Sequence, residues 1–94
     1  MKNQKKKDIG ELYDSGLYDE IERYGKAETV MPVENEYFQP GLVCKVISIT
    51  HDGNFENMTS REIECRLEKV GRVSKRSTRD GFIKVQKLRF IKQD

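Results

Sequence analysis

Residues 42–50 constrain the possible folds of this chain most strongly, because they form a strand pattern that is apolar on both faces. The apolar side chains of the two faces are Leu42, Cys44 and Val46 on one, and Val43, Ile47 and Ile49 on the other. A strand of this kind is covered by other elements on both sides. The sequence therefore predicts a central strand with a helix on one face and a curled sheet around the other.

An amphipathic helix is predicted ahead of this strand, between Asp8 and Gly25. Its apolar side chains recur at spacings of four, four, four and three residues: Ile9, Tyr13, Leu17, Ile21 and Tyr24. This spacing places them on one helical face. Asp8 fits the N-cap position and Gly25 the C-terminal stop. The Asp-Ser-Gly sequence at 14–16 is a weak point, which allows two short helices with Asp14 or Ser15 as the second cap.

Turn and breaker residues predict how the strands follow one another. Residues 29–31 form a short strand pattern, and Pro32 confines it to a sheet edge or a strand start. The Asp-Gly dipeptide at 52–53 is a strong hairpin signal. A loop of these two residues would pair Thr50 with Phe55 in a second strand.

Residues 59–70 carry two conflicting periodicities. A pattern that resembles a capping box begins at Thr59, and Ile63, Leu67 and Val70 keep helical spacing. The same segment also alternates between apolar and charged side chains, with Ile63, Cys65 and Leu67 set among Glu62, Glu64, Arg66 and Glu68. We favour a strand, because the alternation is clean over seven residues and the sequence that follows is strand-like.

The C-terminal pattern includes two expected irregularities. Gly71 suits a bulge or bend, and a second bulge near residues 86–87 would reconcile the change of apolar face between Val85 and Leu88. Residues 74–81 have the composition of a polar, basic loop. The element order predicts an α+β domain: an N-terminal helix, or two short helices, packed on a small, strongly bent antiparallel sheet. A barrel of the SH3-like or OB-like kind is one architecture that fits this pattern.

Length and composition indicate one domain. The chain has 94 residues, of which 35% are hydrophobic and 36% charged, so it can bury one modest core. Residues 1–7 carry four lysines and are expected to form a flexible basic tail, and residues 8–94 a single α+β domain. No apolar run approaches the roughly 18 residues of a membrane span, and no hydrophobic segment follows the basic start. We therefore expect a cytoplasmic protein without membrane contact.

Charge is sorted along the sequence. Residues 8–38 hold nine acidic side chains against two basic ones, whereas residues 69–94 hold nine basic side chains against two acidic ones. The whole chain sums to only +2, so bulk composition hides this asymmetry. Such segregation predicts an electrostatic partner or a clamp within the molecule.

The C-terminal basic segment is the predicted binding site. Its candidate residues are Lys75, Arg76, Arg79, Lys84, Lys87 and Arg89. Ser74, Ser77 and Thr78 add small hydroxyl donors among them, and this combination suits the binding of phosphates. Phe82 or Phe90 would stack on an unpaired base if exposed. No RNP or helix-turn-helix pattern accompanies the cluster, so base-specific contacts are not indicated.

The sequence contains no pattern typical of catalysis or of a bound cofactor. His51 is the single histidine, and it lacks further ligands at a supporting spacing. Cys44 and Cys65 lie in apolar alternations without a C-x-x-C pair, which predicts buried thiols in a reducing compartment. The glycines form neither a dinucleotide-binding nor a Walker pattern. We therefore expect no enzyme activity, no cofactor and no metal.

Two functions follow as hypotheses. The first is a non-enzymatic module that binds DNA or RNA, with a basic hairpin at residues 74–92 contacting phosphates with little base specificity. The second is a small protein-binding adaptor or inhibitor, alone or in a larger assembly, that uses the acidic N-terminal helix or a sheet edge. The first depends on basic side chains that the chain's own carboxylates do not neutralise after folding.

Overall fold

One α-helix packs on one face of a five-stranded sheet in the structure, a computed structural model that describes residues 9–51 and 58–93. The elements are β1 (Gly10–Tyr13), α1 (Ser15–Tyr24), β2 (Lys26–Pro32), β3 (Val43–Thr50), β4 (Thr59–Thr78) and β5 (Gly81–Lys92). This arrangement confirms the α+β class. The expected tail at residues 1–7 lies outside the described residues.

The sheet is mixed and open. Its strands lie in the order β1-β3-β4-β5-β2, and β1 pairs parallel with β3 while the other neighbours are antiparallel. The prediction of a wholly antiparallel sheet is therefore wrong at β1. The chain returns through β2 before β3 begins, so it enters β3 from the same end as β1. The SH3-like or OB-like barrel is not confirmed, because β1 and β2 occupy opposite edges of a sheet that is not closed.

The helix begins later than the spacing of apolar residues predicts. Residues 10–13 form a strand, and Asp14 caps the helix by accepting a hydrogen bond from the Leu17 N–H at 3.0 Å. Gly25 ends it in the left-handed region at φ 82°, where its N–H donates to the Ile21 carbonyl at 2.7 Å. Of the two short helices considered, the structure contains the one capped by Asp14. The proposed cap at Asp8 lies outside the described residues.

The aromatic side chains that are buried differ from those predicted from the apolar spacing. Tyr13 and Tyr24 were both assigned to the apolar helix face, yet they are 61% and 67% exposed. Tyr18 is buried instead, beside Leu17 and Ile21 in the core cluster. The helix therefore contributes a compact apolar face of three residues to the sheet.

The connection between β2 and β3 folds over Gly10. A Cβ atom at position 10 would lie 2.7 Å from the Cβ of Tyr37 and 3.2 Å from the ring of Phe38. We expect Gly10→Ala to lower the free energy of unfolding by about 1–3 kcal/mol in urea titrations, because the packed connection would have to shift. Gly16→Ala is the matched control, since its nearest contact would be an ordinary 3.6 Å and alanine favours the helix. Equal losses in both variants would contradict this assignment.

The core lies between the helix and one face of the sheet. Its buried residues are Leu17, Tyr18, Ile21, Ala27, Met31, Phe38, Cys44, Val46, Ile63, Cys65, Leu67, Leu88 and Phe90. On the outer face of β3, Ile47 is buried, but Val43 and Ile49 are each more than a third exposed. The prediction that β3 is covered on both sides is therefore correct for one side only.

The connection from β3 to β4 has a different register from the predicted two-residue turn. Thr50 pairs with Thr59, so it does not lie opposite Phe55 as a loop at 52–53 would require. Residues 52–57 lie outside the described part of the chain. Residues 59–70 form a strand, as the alternation predicted.

β4 and β5 form one long hairpin with an irregularity in β4. The predicted loop at 74–81 is wrong, because pairing continues to Thr78 and Gly81. The expected bulge near residues 86–87 is also wrong, since β5 pairs with β2 in unbroken register there. The register shift lies across from it, between Val70 and Ser74, where Gly71 adopts φ 76°. The prediction of a bulge or bend at Gly71 is therefore confirmed.

Candidate nucleic-acid interface

The end of the long hairpin extends beyond the rest of the sheet. Residues 74–84, which we call the ribbon, pair only across β4 and β5 within the described residues. β2 ends where Pro32 lies opposite Val85, and the Val33 N–H donates to the Lys84 carbonyl at 3.0 Å. Every residue from 71 to 84 is exposed. The ribbon is therefore a two-stranded arm with solvent on both faces.

A tight turn closes the ribbon. Arg79 and Asp80 form the connection, and Gly81 follows at φ 133°, a conformation that glycine adopts most easily. The Thr78 hydroxyl donates to the Gly81 carbonyl at 3.2 Å. The Asp-Gly dipeptide at 80–81 is the sequence signal that could have revealed this hairpin.

The irregularity in β4 keeps the two faces of the hairpin in phase. Three residues of β4, 71–73, stand opposite Gln86 alone, so β4 holds two extra residues and its alternation is preserved. Lys75 and Lys84 pair directly on the face that continues the core side of the sheet. Arg76 and Ile83 pair on the outer face. The predicted cations are thus divided between both faces of the ribbon.

A groove opens on the outer face beside the irregularity in β4. It has a volume of about 290 Å³, with Val30, Val70 and Val85 among its lining residues. The same groove is lined by three cationic side chains, those of Arg72, Arg76 and Lys87. The fold therefore brings Arg76 of the ribbon together with Lys87 of the body, although they are eleven positions apart. Arg72 joins this cluster although it was not among the predicted site residues.

Four basic side chains on the body of the sheet are paired with carboxylates. The ion pairs are Lys45–Glu62 at 3.3 Å, Arg61–Glu22 at 3.7 Å, Arg66–Glu68 at 4.0 Å, Arg89–Glu28 at 2.9 Å and Arg89–Glu68 at 3.8 Å. Arg89 also donates through Nε to Glu28 at 3.0 Å. Two carboxylates therefore balance the charge of Arg89, which sets it apart from the other five predicted site residues.

The cations of the ribbon, and Lys87 beside it on the body of the sheet, lack such partners in the described part of the chain. Among the described residues, no carboxylate forms an ion pair with Lys75, Arg76, Arg79, Lys84 or Lys87. Asp80 is the single acidic residue in the ribbon sequence. The segregation of charge along the chain thus survives folding at this end of the molecule, and it leaves exposed positive charge on a narrow arm.

The two phenylalanines considered for base stacking have opposite environments. Phe90 is fully buried, and its ring centroid lies 6.5 Å from that of Phe38 in the core. Phe82 is 72% exposed at the ribbon, opposite Ser77. Phe82 alone of the two can therefore contact a ligand in this structure.

The other residues considered for chemistry lie apart from the ribbon. Cys44 and Cys65 are free and buried, as predicted. They lie directly opposite each other on β3 and β4. Burial raises the pKa of both thiols, so they remain protonated and unreactive near neutral pH. His51 is exposed just after β3. Within residues 9–51 and 58–93, no three His, Cys, Asp or Glu side chains are grouped to hold a metal ion.

The function of this chain is argued from its geometry, because comparisons with known proteins found no match. No protein-family model, curated protein or solved structure matches it. The described part of the chain contains no helix that is both long and apolar enough to cross a membrane.

Proposed function

We propose that this protein is a non-enzymatic module whose ribbon binds the phosphates of nucleic acid with little base specificity. The observation that carries the proposal is the exposed ribbon, whose basic side chains have no ion-pair partner among the described residues. The proposed contacts are Lys75, Arg76, Arg79 and Lys84 of the ribbon, together with Lys87 beside it on the body of the sheet. Arg89 stays outside this surface, because Glu28 and Glu68 balance its charge.

The dimensions of the ribbon suit a groove or a bound strand. Five paired residues of a β-strand span roughly 17 Å. The major groove of B-form DNA is about 12 Å wide and 8.5 Å deep, and it admits a two-stranded ribbon. A single strand can likewise follow a row of cations along the ribbon. In both cases the binding free energy comes largely from counterions that the phosphates release, so affinity falls as salt rises.

The test is the double variant Arg76→Ala/Arg79→Ala, measured by fluorescence anisotropy with a labelled single strand and a labelled duplex. We expect about tenfold or greater loss of affinity for both nucleic acids. For two lost phosphate contacts, the slope of log affinity against log salt should become shallower by about 1.8 for the duplex and about 1.4 for the single strand. The loss should be the same for unrelated base sequences, because phosphate contacts carry no sequence information.

The matched control is Arg61→Ala/Arg66→Ala, which removes the same net charge from the body of β4. These two arginines lie near Glu22 and Glu68, so we expect an affinity change within about twofold. Unchanged affinity in Arg76→Ala/Arg79→Ala would contradict the proposal. Equal losses in the two double variants would also contradict it, since net charge and not the ribbon would then determine binding.

The free edge of β1 supports a second candidate function, that of a protein-binding adaptor or inhibitor. β1 pairs only with β3 among the described residues, so its other edge can accept a strand from a partner. The acidic side of α1 could add a contact through Asp19 and Glu20, which are exposed. Its apolar face is buried against the sheet and offers nothing to a partner's groove. Partner binding that survives nuclease and does not change in Arg76→Ala/Arg79→Ala would favour this function.

A cytoplasmic location is part of the same proposal. Cys44 and Cys65 lie opposite each other as free thiols. Such a pair is typical of a reducing compartment, in which disulfides are rare. The phosphate-binding ribbon would meet DNA or RNA in that compartment.

A further inference from the structure

We infer that one face of the ribbon stacks on unpaired bases, so that the module prefers single-stranded nucleic acid to duplex. We call this the Phe82 face, and its residues are Lys75, Ser77, Phe82 and Lys84. The inference rests on the proposed function and deepens it by naming the class of nucleic acid.

The environment of Phe82 gives the ring no role in folding. At 72% exposure it is the most exposed large apolar side chain in the described part of the chain. Its direct cross-strand partner is Ser77, which is too small to cover the ring. It lies outside the core cluster, whose members on β5 are Leu88 and Phe90. A ring left in water stabilises a fold very little, whereas burial against another flat apolar surface removes its area from water.

The neighbouring pair on the same face is also unexplained by folding. Lys75 and Lys84 lie directly opposite each other, and like charges in this position destabilise a sheet. No carboxylate among the described residues forms an ion pair with either lysine. A phosphate bound between the two ammonium groups would remove their repulsion. On this face the Lys75–Lys84 pair is next to the Ser77–Phe82 pair. The fold thus places two cations beside an exposed aromatic ring.

This combination fits an unpaired nucleotide better than a base pair. Proteins that bind single strands join a cationic track for the backbone to aromatic side chains on which bases stack. In a duplex the bases are already stacked, and a ring can reach their faces only by separating a base step. The opposite face of the ribbon carries Arg76 and Ile83 and contains no aromatic ring. Base stacking is therefore assigned to the Phe82 face alone.

Tryptophan fluorescence provides a direct measurement of stacking, because the chain contains no tryptophan. In Phe82→Trp, the indole at position 82 would be the only one in the protein. We expect its emission to be quenched by oligothymidine and oligouridine of 15 nucleotides, and much less by a 15-base-pair duplex. Ile83→Trp is the matched control on the opposite face, and we expect little quenching with any of the three ligands.

The affinity of truncated variants provides the second measurement. Phe82→Ala should weaken binding of the two single strands by about 5- to 150-fold, the range for loss of one base-stacking contact. Its affinity for the duplex should stay within about twofold. Ile83→Ala removes a smaller apolar side chain from the adjacent position and should change neither affinity. Both positions are exposed, so circular dichroism should show the same fold in both variants.

The outcomes separate this inference from the proposed function. If Phe82→Ala binds single strands like the wild type while Arg76→Ala/Arg79→Ala is weakened, stacking is overturned and phosphate binding remains. Equal losses for single strand and duplex in Phe82→Ala would overturn the preference for unpaired bases. If the unmodified protein binds neither oligonucleotide nor duplex at low salt, the proposed function itself is wrong.

Discussion

Replacing Phe90 by alanine is expected to lower the free energy of unfolding by about 3–5 kcal/mol. Phe90 is fully buried at the centre of the sheet, where it pairs with Leu67 on β4 and Ala27 on β2. Its ring also lies in the core with that of Phe38. The substitution would remove this shared contact and leave a cavity. Domains of this kind are stable by only about 5–15 kcal/mol, so urea unfolding should show a large shift of the midpoint.

Phe82→Ala is the control for this measurement, because it changes the same residue type on the same strand. Phe82 is exposed and makes no core contact, so we expect stability to change by no more than about 0.5 kcal/mol. A comparable loss of stability in the two variants would contradict the assignment of the ribbon as an arm outside the core.

Raising the pH from 7 to 10.5 is expected to lower the free energy of unfolding by roughly 3–4 kcal/mol through the two thiols alone. Burial raises the pKa of Cys44 to about 12 and that of Cys65 to about 11, from a usual 9.0. Above pH 9 the unfolded chain loses both thiol protons while the folded chain keeps them. Stability from the protonated thiols is therefore complete below pH 9 and is lost as the pH rises towards 11–12.

Cys44→Ala/Cys65→Ala is the control for this pH dependence. The two proteins share every other titratable group, so the difference between the two pH profiles isolates the thiols. We expect the double variant to be less stable at pH 7, because it leaves a cavity, but to lose less stability between pH 7 and 10.5. Parallel profiles would contradict the raised pKa values. Urea titrations at each pH provide the measurement.

The sequence predicted the elements whose patterns are local. Residues 59–70 alternate because one side of β4 faces the core and the other faces solvent. Pro32 correctly indicated an edge strand, since it lies at the end of β2 on the sheet margin. Asp14 and Gly25 are caps that act within a few residues of their positions. In each case the residues that determine the local structure lie within the segment itself.

The sequence could not predict β1, because its structure depends on a distant strand. The apolar spacing of Ile9, Tyr13 and Leu17 is compatible with a helix, and nothing local contradicts it. β1 forms because its backbone pairs with β3, which lies more than thirty residues further along the chain. The resulting parallel pair excludes the wholly antiparallel sheet that the order of elements predicted.

The ribbon was read as a loop for a related reason. Strands are recognised by one buried face, and residues 74–84 have none. The six candidate cations were predicted from the composition of the segment. Composition alone does not show which carboxylate pairs with Arg89. Glu28 lies 61 positions away and meets it only because β2 returns to pair with β5. Phe82 and Phe90 share a strand and a face, and only the end of β2 determines which ring is buried.

Because β4 and β5 continue from the core to the tip, past the irregularity in β4, the reach of the protein is independent of its packing. Lengthening both strands by two residues would carry the turn about 7 Å further outward and preserve the side on which each residue points. No buried residue would have to change, because the interior ends where β2 ends. Evolution can therefore adjust how deeply such an arm extends without reshaping the domain that supports it.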